Sequence, residues 1–431
     1  MNVAIVGYGV EGQSALAYWQ ELGDHVTVCD QNESVQVARG VDTQLGANYL
    51  HNLDRFDVIV RSAGINPDIL LADNPGIKGK ITTVINEFLR VCPTKNTIGI
   101  TGTKGKGTTS TLIAKMLAAA GEQVFLAGNI GSSPLDLLPK LTPQSWVVLE
   151  LSSFQLSDLA HSTHIALCLM VMPEHLNWHK DMDDYILAKA HLFEHQTPAD
   201  TAIYFAKNDD SKRIASYSKG FKMPYFADPG AFVAAGKITI ANQNICDVGD
   251  LKLLGKHNWQ NVCAALTVVW QITQDIAAMQ SVLTTFTGLE HRLEFVRELQ
   301  GVKYYDDSFG TTPETAIVAI EAFQQPKVVI LGGSDKGASY DALAQTVKNS
   351  NVRQVILIGQ TGPAIEAALS KVGFGAITPG GNSIEAIVAA AHQAAQPGDM
   401  VLLSPACASL DMFLNYKERG KQFKAAVQAL V

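Results

Sequence analysis

The stretch Ile98-Gly-Ile-Thr-Gly-Thr-Lys-Gly-Lys-Gly-Thr-Thr109 decides the fold class. An apolar strand end runs into a glycine-rich turn carrying two lysines, and a helix is expected to begin at Thr108–Leu112. Triphosphate binding needs this order. Glycines let backbone N–H groups close on phosphate oxygens, the helix presents its positive end, and a lysine neutralises the β/γ charge. Two positions depart from the general pattern: Ile100 stands where the first glycine would fall, and Gly107 replaces the Ser/Thr expected directly after Lys106. A tight glycine turn joining strand to helix is the plainer reading of the same residues, so the surrounding sequence has to separate the two.

Outward from this stretch, 431 residues exceed one hydrophobic core and suggest about two or three domains. Hydrophobic content of 47% with 17% charge describes a well-packed globular chain. A net charge of −8 weighs against nucleic acid as the main partner. Cys29, Cys92, Cys168, Cys246, Cys263 and Cys407 are widely spaced without a C-x-x-C, as expected of core thiols in a reducing compartment. Residues 1–10 read as a strand and a glycine turn rather than a signal peptide, and no apolar run approaches the roughly 18 residues of a membrane span. A cytoplasmic protein without membrane insertion is the expectation.

Strands alternate with helical stretches along the whole chain, which implies parallel sheets with crossovers. Asn2–Val6 is a strand, Gly7-Tyr-Gly-Val-Glu-Gly12 a turn, 13–22 a helix, and His25–Cys29 a strand ending in Asp30. A link containing Pro93 precedes the phosphate-loop strand, and residues around 225–255 read as a small antiparallel insert. From Val302 the alternation resumes, with strands entering Gly332-Gly-Ser-Asp-Lys-Gly337, Gly359-Gln-Thr-Gly362 and Pro405-Ala-Cys-Ala-Ser409. In open α/β sheets ligands bind outside the carboxyl ends of strands, and each of these turns sits at such an end.

Gly7, Gly9 and Gly12 form G-x-G-x-x-G after a strand, with Asp30 ending the next. NAD, or another nucleotide diphosphate with Asp30 reading base or ribose, fits this fingerprint. Thr108 could supply the hydroxyl to Mg²⁺ that Gly107 cannot, or simply cap the helix. Glu150 closes the apolar run Trp146-Val-Val-Leu149 and faces either a metal or a buried basic partner. His175, after another buried strand, is a second ligand or a structural histidine. Lys189, in an otherwise apolar helix, reads as a snorkelling side chain. Ser404-Pro-Ala-Cys-Ala-Ser409 could hold a carboxylate with amides and hydroxyls at a helix N-terminus, whereas no histidine is identifiable as a partner for Cys407 as a nucleophile.

Together these words resemble the Mur ligase family of peptidoglycan synthesis. The resemblance rests on Gly102-Thr-Lys-Gly-Lys106, Gly128-Asn-Ile-Gly131, Leu149-Glu-Leu-Ser-Ser-Phe-Gln155, Gly255-Lys-His-Asn258, Gly288-Leu-Glu-His-Arg292, Leu403-Ser-Pro-Ala-Cys-Ala-Ser-Leu-Asp411 and Arg419-Gly420. It implies an α/β chain of three domains: a Rossmann-like domain over 1–90, a central P-loop ATPase-like domain with a mostly parallel sheet over 91–287, and a Rossmann-like domain over 288–431. The implied activity is an ATP-dependent ligase that adds D-glutamate to UDP-N-acetylmuramoyl-L-alanine through an acyl phosphate, with Mg²⁺; its expected partners are these small molecules, without nucleic acid or membrane insertion, and the chain is expected to be a monomer.

The resemblance also implies roles. Gly7, Gly9, Val10, Glu11 and Gly12 lie at the UDP diphosphate and Asp30 near the uracil, with Gln31, Ser62, Gly64 and Asn129 completing that set. Gly102, Thr103, Lys104, Gly105, Lys106, Gly107, Thr108 and Thr109 hold ATP with Asn258, Asn261, Arg292 and Asp307. Glu150, His175 and Thr108 are matched to the metal, together with Lys189, which the family carbamylates. Thr311, Lys336, Ser409, Leu410 and Tyr416 match the D-glutamate site, and Lys106, Glu150, His175, Lys189 and Lys336 the catalytic set. Three departures stand out: Gly107, Phe309 where a lysine commonly follows Asp-Ser, and the acidic Glu11 in the first glycine turn. An NAD-dependent oxidoreductase leaves the phosphate loop, Glu150 and the C-terminal word unexplained. A non-catalytic nucleotide binder leaves the retained lysines and Glu150 without a purpose.

Overall fold

Apolar runs that end in glycine turns build parallel sheets in this chain, and the turns collect at the strands' carboxyl ends. The computed structural model describes residues 1–253, 255–335 and 337–431; Lys336, expected at the amino-acid site, lies outside the described residues. The chain divides into two units, Met1–Phe286 and Thr287–Val431.

The first unit holds two all-parallel sheets. One has five strands in the order Asp42–Leu45, His25–Asp30, Asn2–Val6, Val58–Arg61, Ile81–Thr82. The other has six, in the order Phe221–Tyr225, Thr201–Phe205, Ile165–Cys168, Thr97–Thr101, Trp146–Glu150, Val124–Gly128. Thr97–Thr101 and Ile165–Cys168 are buried at every residue, as central parallel strands covered on both faces must be. The chain leaves Thr97–Thr101 toward one edge and later returns on its other side. That is the switch point where a doubly wound sheet opens a crevice. One apolar core joins both sheets, running from Val3, Ile5 and Trp19 through Phe88 to Leu149 and Phe193. The expected antiparallel insert is a three-stranded sheet of Phe232–Ala234, Lys237–Ile240 and Gln243–Asp247.

The second unit carries a six-stranded sheet in the order Glu294–Leu299, Val302–Asp306, Met400–Leu403, Lys327–Gly332, Val352–Ile358, Ile377–Pro379. Its first strand is antiparallel and precedes the expected start at Val302. Glu294-Phe-Val-Arg-Glu-Leu299 is an edge strand with mixed exposure, so it lacks the solid apolar run that betrays a central strand such as Met400–Leu403.

The phosphate-loop helix also begins earlier than expected. It spans Lys106–Ala119 with Gly105 as its N-cap at φ 90°, so Thr108 lies in the first turn and is not the cap. A left-handed glycine lets the chain enter the helix at once. The first helix likewise starts at Val10, directly after Gly9.

Candidate active site

The phosphate loop is built by close approach. A side chain at Gly102 (φ 135°) would place its Cβ 2.7 Å from Leu169 Cβ, and one at Gly105 (φ 90°) 2.2 Å from Asn261 Oδ1. Asn261 thus lies against the loop, and its amide donates to Asn258 Oδ1 at 2.8 Å. The helix Asn258–Trp270 brings two of the expected ATP residues, Asn258 and Asn261, there. Thr103 is committed elsewhere. Its N–H donates to Met170 O, its hydroxyl bonds Met172, and Tyr185 OH lies 3.0 Å away. It clasps the loop to the neighbouring strand's exit, leaving its N–H engaged.

Three lysines surround the loop. Lys106 Nζ donates to Gly102 O and Thr103 O, each at 3.1 Å. Lys189 Nζ donates to the same Gly102 O at 3.0 Å and lies 4.4 Å over the Tyr185 ring. Two amines therefore share one carbonyl. Lys104, more exposed, pairs with Glu174. Burial, reinforced by the Lys106 charge, pulls Lys189 from the ordinary 10.5 down to about 7. A snorkelling reading does not survive, because Lys189 is only 1% exposed. Its unfolded form binds a proton that the folded form releases between pH 7 and 10.5, so this lysine costs stability as pH falls through that range. Lys189→Met is expected to raise the thermal unfolding temperature at pH 7, with a gain that shrinks toward pH 10. A gain that grows with pH contradicts this.

Glu150 ends the strand Trp146–Glu150, 4% exposed. Asn129 Nδ2 donates to Glu150 Oε1 at 3.1 Å, and Asn129 N–H to Glu150 O at 2.8 Å. Gly128 permits this approach, since a Cβ there would fall 2.3 Å from Glu150 O. Glu150 Oε2 is buried and has no hydrogen-bond partner among the described residues. The same holds for Thr109 Oγ1 in the first turn of the phosphate-loop helix. An unpartnered buried carboxylate oxygen is expensive and suits a hard cation. Thr109 thus adds a second candidate hydroxyl beside Thr108 in the same first helical turn. His175 is exposed and in the left-handed region (φ 59°), its ring 4.8 Å from that of Phe154. Partial desolvation of its ring, with Lys106, Lys189 and Lys104 nearby, holds it below its ordinary pKa.

Sequence reasoning missed His179. It is buried, with Nε2 2.9 Å from Ser153 Oγ and Nδ1 3.1 Å from Asp184 Oδ2, and its ring lies near those of Phe154, Trp178 and Tyr185. Its ordinary-looking surroundings in sequence carry no signal for this.

On the five-stranded sheet, Gly7 (φ 91°) fits closely against Ser62, and Gly12 against Gly7 O. Asp30 accepts from Tyr8 N–H at 2.6 Å and from Asn32 N–H at 2.8 Å, so it shapes the turn. Gly9, Val10, Gln31 and Gly64 are exposed along the same strand ends. Glu11, the misplaced acid, accepts from Gln155 Nε2 at 2.7 Å, which gives its charge a partner.

In the second unit the turns after Val302–Asp306, Met400–Leu403 and Lys327–Gly332 converge. Ala406 N–H donates to Gly310 O, and Ser334 N–H to Ala408 O. Burial pushes Asp307 up to about 7, opposed by hydrogen bonds from Ser404 Oγ at 2.7 Å and Leu293 N–H and by nearby Arg292. The Arg292 guanidinium lies 5.7 Å from the Phe309 ring, which is edge-on to Tyr416 at 5.3 Å. Aromatic packing thus stands where a lysine was expected. Ser409 is buried, Leu410 is exposed, and Thr311 and Tyr416 are half-buried. Arg419 is fully buried and donates to Ser308 Oγ and O and to Cys407 O. Gly420 leaves room for the buried His291–Asp306 pair at 2.6 Å; a Cβ there would lie 2.2 Å from His291 Nδ1. Glu290, His291 and Glu294 cluster with metal-ligand spacing, but Lys424 Nζ already neutralises both carboxylates at 2.8 and 3.0 Å.

Residues 100–269 match the Mur ligase middle domain, and residues 291–407 the Mur ligase glutamate ligase domain. The chain belongs to the Mur ligase family. It is an ATP-dependent, amide-bond-forming ligase by that membership. It is 36% identical over 448 residues to a UDP-N-acetylmuramoylalanine--D-glutamate ligase of Clostridium tetani, covering 100% of this chain and 97% of that one. A relative of the same name from Symbiobacterium thermophilum is 38% identical over 453 residues, covering 100% and 98%. Among solved Mur ligases, MurC of Thermotoga maritima superposes with a TM-score of 0.61 at 14% identity, covering 100% of this chain and 99% of that one. MurF of the same organism, in complex with ADP, gives 0.58 at 16%, covering 99% and 94%. These two likenesses concern the fold alone. No helix among the described residues is long and apolar enough to cross a membrane.

Proposed function

We propose that this ligase joins D-glutamate to UDP-N-acetylmuramoyl-L-alanine, with ATP converting the substrate carboxylate to an acyl phosphate. The observation that carries this reading is the phosphate loop, where Lys106 and Lys189 share the Gly102 carbonyl. It is supported by relatives of that name along the whole chain. A carboxylate oxygen attacks the γ-phosphorus and ADP leaves; the amine of D-glutamate then attacks the acyl carbon, phosphate leaves and a proton is lost. Phosphoryl transfer of this kind depends on positioning and charge neutralisation. Lys106 supplies charge to the phosphates, with Asn258, Asn261, Arg292 and Asp307 as the further nucleotide residues.

The residues present fit Mg²⁺, as the orphaned Glu150 Oε2 indicates. Glu150, with His175, Thr109 or Thr108, and Lys189 as its carbamate, would hold it. The ion supplies charge stabilisation on the transferring phosphoryl group. Lys189 is suited to carbamylation because its neutral amine, the form that adds CO₂, is well populated near pH 7. Gly7, Gly9, Val10, Glu11, Gly12, Asp30, Gln31, Ser62, Gly64 and Asn129 are assigned to the UDP-linked substrate. Thr311, Lys336, Ser409, Leu410 and Tyr416 are assigned to D-glutamate. We assign three domains, 1–90, 91–287 and 288–431, to a monomer working in the cytoplasm.

Phosphate release from ATP tests the reading. It should require both UDP-N-acetylmuramoyl-L-alanine and D-glutamate, and release indifferent to either substrate overturns it. L-lysine, diaminopimelate and L-glutamate in place of D-glutamate test the amino acid.

A further inference from the structure

Arg61 carries a dense set of side-chain hydrogen bonds, and no nucleotide, metal or amino-acid role claims it. It ends the strand Val58–Arg61 and its side chain is fully buried. Nε and Nη2 form a fork on Asp158, at 3.0 and 2.6 Å. Nη1 donates to Ser62 O, Ala63 O and Ile65 O, at 3.2, 3.3 and 2.7 Å. Nη2 also reaches Phe154 O and Ser157 Oγ, each at 3.1 Å. One guanidinium therefore gathers three carbonyls of the 62–65 turn and the end of the short helix Ser153–Leu156, which follows Glu150 in the chain.

A second tie joins the same two regions: Glu11, in the Gly7–Gly12 turn, holds Gln155 of that helix at 2.7 Å. A third runs from the 62–66 turn to the loop carrying His175. Trp178 Nε1 donates to Gly64 O at 3.4 Å, and Asn66 Nδ2 to Trp178 O at 3.2 Å. Packing alone does not call for an arginine here, since apolar side chains commonly replace buried ion pairs without loss of stability. What only the planar, five-donor fork does is hold several acceptors of two separate elements in fixed register.

We propose that Arg61 is a positioning residue that sets the span between the turns holding the uridine diphosphate and the Glu150 end of the central sheet. This rests on the function proposed above. A substrate bound by its diphosphate at one end and reacting through its carboxylate at the other must find both sites at one fixed separation. An error of about 1 Å in that separation costs up to about a hundredfold in rate.

The test uses the intact chain as wild type, Arg61→Met and Arg61→Lys. Calorimetric titration with UDP-N-acetylmuramoyl-L-alanine and, separately, with ADP is paired with phosphate release at varied concentrations of each substrate. Arg61→Met is expected to lower kcat/KM for the UDP-linked substrate by about ten- to a hundredfold. Arg61→Lys should lose less, and ADP affinity and the KM for ATP should stay at wild-type values. Unchanged handling of the UDP-linked substrate by Arg61→Met, even with a lowered melting temperature, overturns the proposal, as does an equal weakening of ADP affinity or an equal rise in the KM for ATP. If Arg61→Met does not fold, Arg61→Lys decides by the same comparison. Wild-type protein that binds the UDP-linked substrate without turning it over sinks the ligase reading alone, and the affinity ratio of the variants still decides the role of Arg61. Wild-type protein that does not bind it overturns both.

Discussion

Glu150→Gln is expected to lose catalysis and gain stability together. The substitution keeps the shape of the side chain and the acceptor that Asn129 Nδ2 uses at 3.1 Å. It removes the charge from a carboxylate whose Oε2 is buried without a partner among the described residues. Leaving such an oxygen unsatisfied costs about 1–3 kcal/mol in the free protein, and a neutral amide reduces that cost. The same charge is what a cation on the transferring phosphoryl group needs beside it. Phosphate release is therefore expected to fall about 10²- to 10³-fold or more, as for loss of a preorganised charge at a reacting centre. Melting temperature and turnover measured on one preparation check this. A variant that loses stability while keeping turnover would show that Glu150 serves the fold.

Lys106→Met should be the most damaging change at the loop itself. Lys106 opens the helix Lys106–Ala119 and turns its ammonium back onto Gly102 O and Thr103 O. Triphosphate arrival offers that charge better acceptors than two carbonyls. Charge-assisted bonds are roughly twice as strong as neutral ones, and loss of a phosphate-clamping charge typically costs about 10²- to 10³-fold. We expect kcat/KM for ATP to fall by at least that factor. Lys104→Met makes the contrast: its ammonium is half exposed and engaged with Glu174, an exposed pairing of the kind worth about 1 kcal/mol or less. If the two variants lose equally, the division of labour between the lysines is wrong.

The parts of this protein legible in its sequence are those with a local steric cause. The phosphate loop, the Gly7–Gly12 turn and Gly128 announce themselves because only glycine fits where backbone meets backbone or a left-handed turn is needed. Central strands such as Ile165–Cys168 and Met400–Leu403 announce themselves as unbroken apolar runs. Features assembled across the chain leave no such trace. Arg61 and Asp158 are 97 residues apart, and Ser153 and His179 are 26 apart. Neither pair has a spacing that chemistry would single out. The edge strand Glu294–Leu299 escaped because half-exposed strands mix charge with apolar residues. The sequence singles out Thr108 as the hydroxyl beside Gly107, whereas the buried, unpartnered Oγ1 of Thr109 among the described residues depends on packing that no spacing rule foretells.

The carbonyl shared by Lys106 and Lys189 makes the loop a proton counter. Drawing Lys106 away to a phosphate removes a positive neighbour from Lys189 and brings negative charge near it, and both changes favour its ammonium form. Binding of metal-free nucleotide near pH 7 is then expected to take up a fraction of a proton, so that its calorimetric heat varies with the ionisation enthalpy of the buffer. By reciprocity, affinity should weaken as pH rises through 7. A carbamate at Lys189 no longer titrates there, and the buffer dependence should disappear with it. The number of protons exchanged on binding thus reports which chemical form of Lys189 a preparation contains, without any turnover being measured.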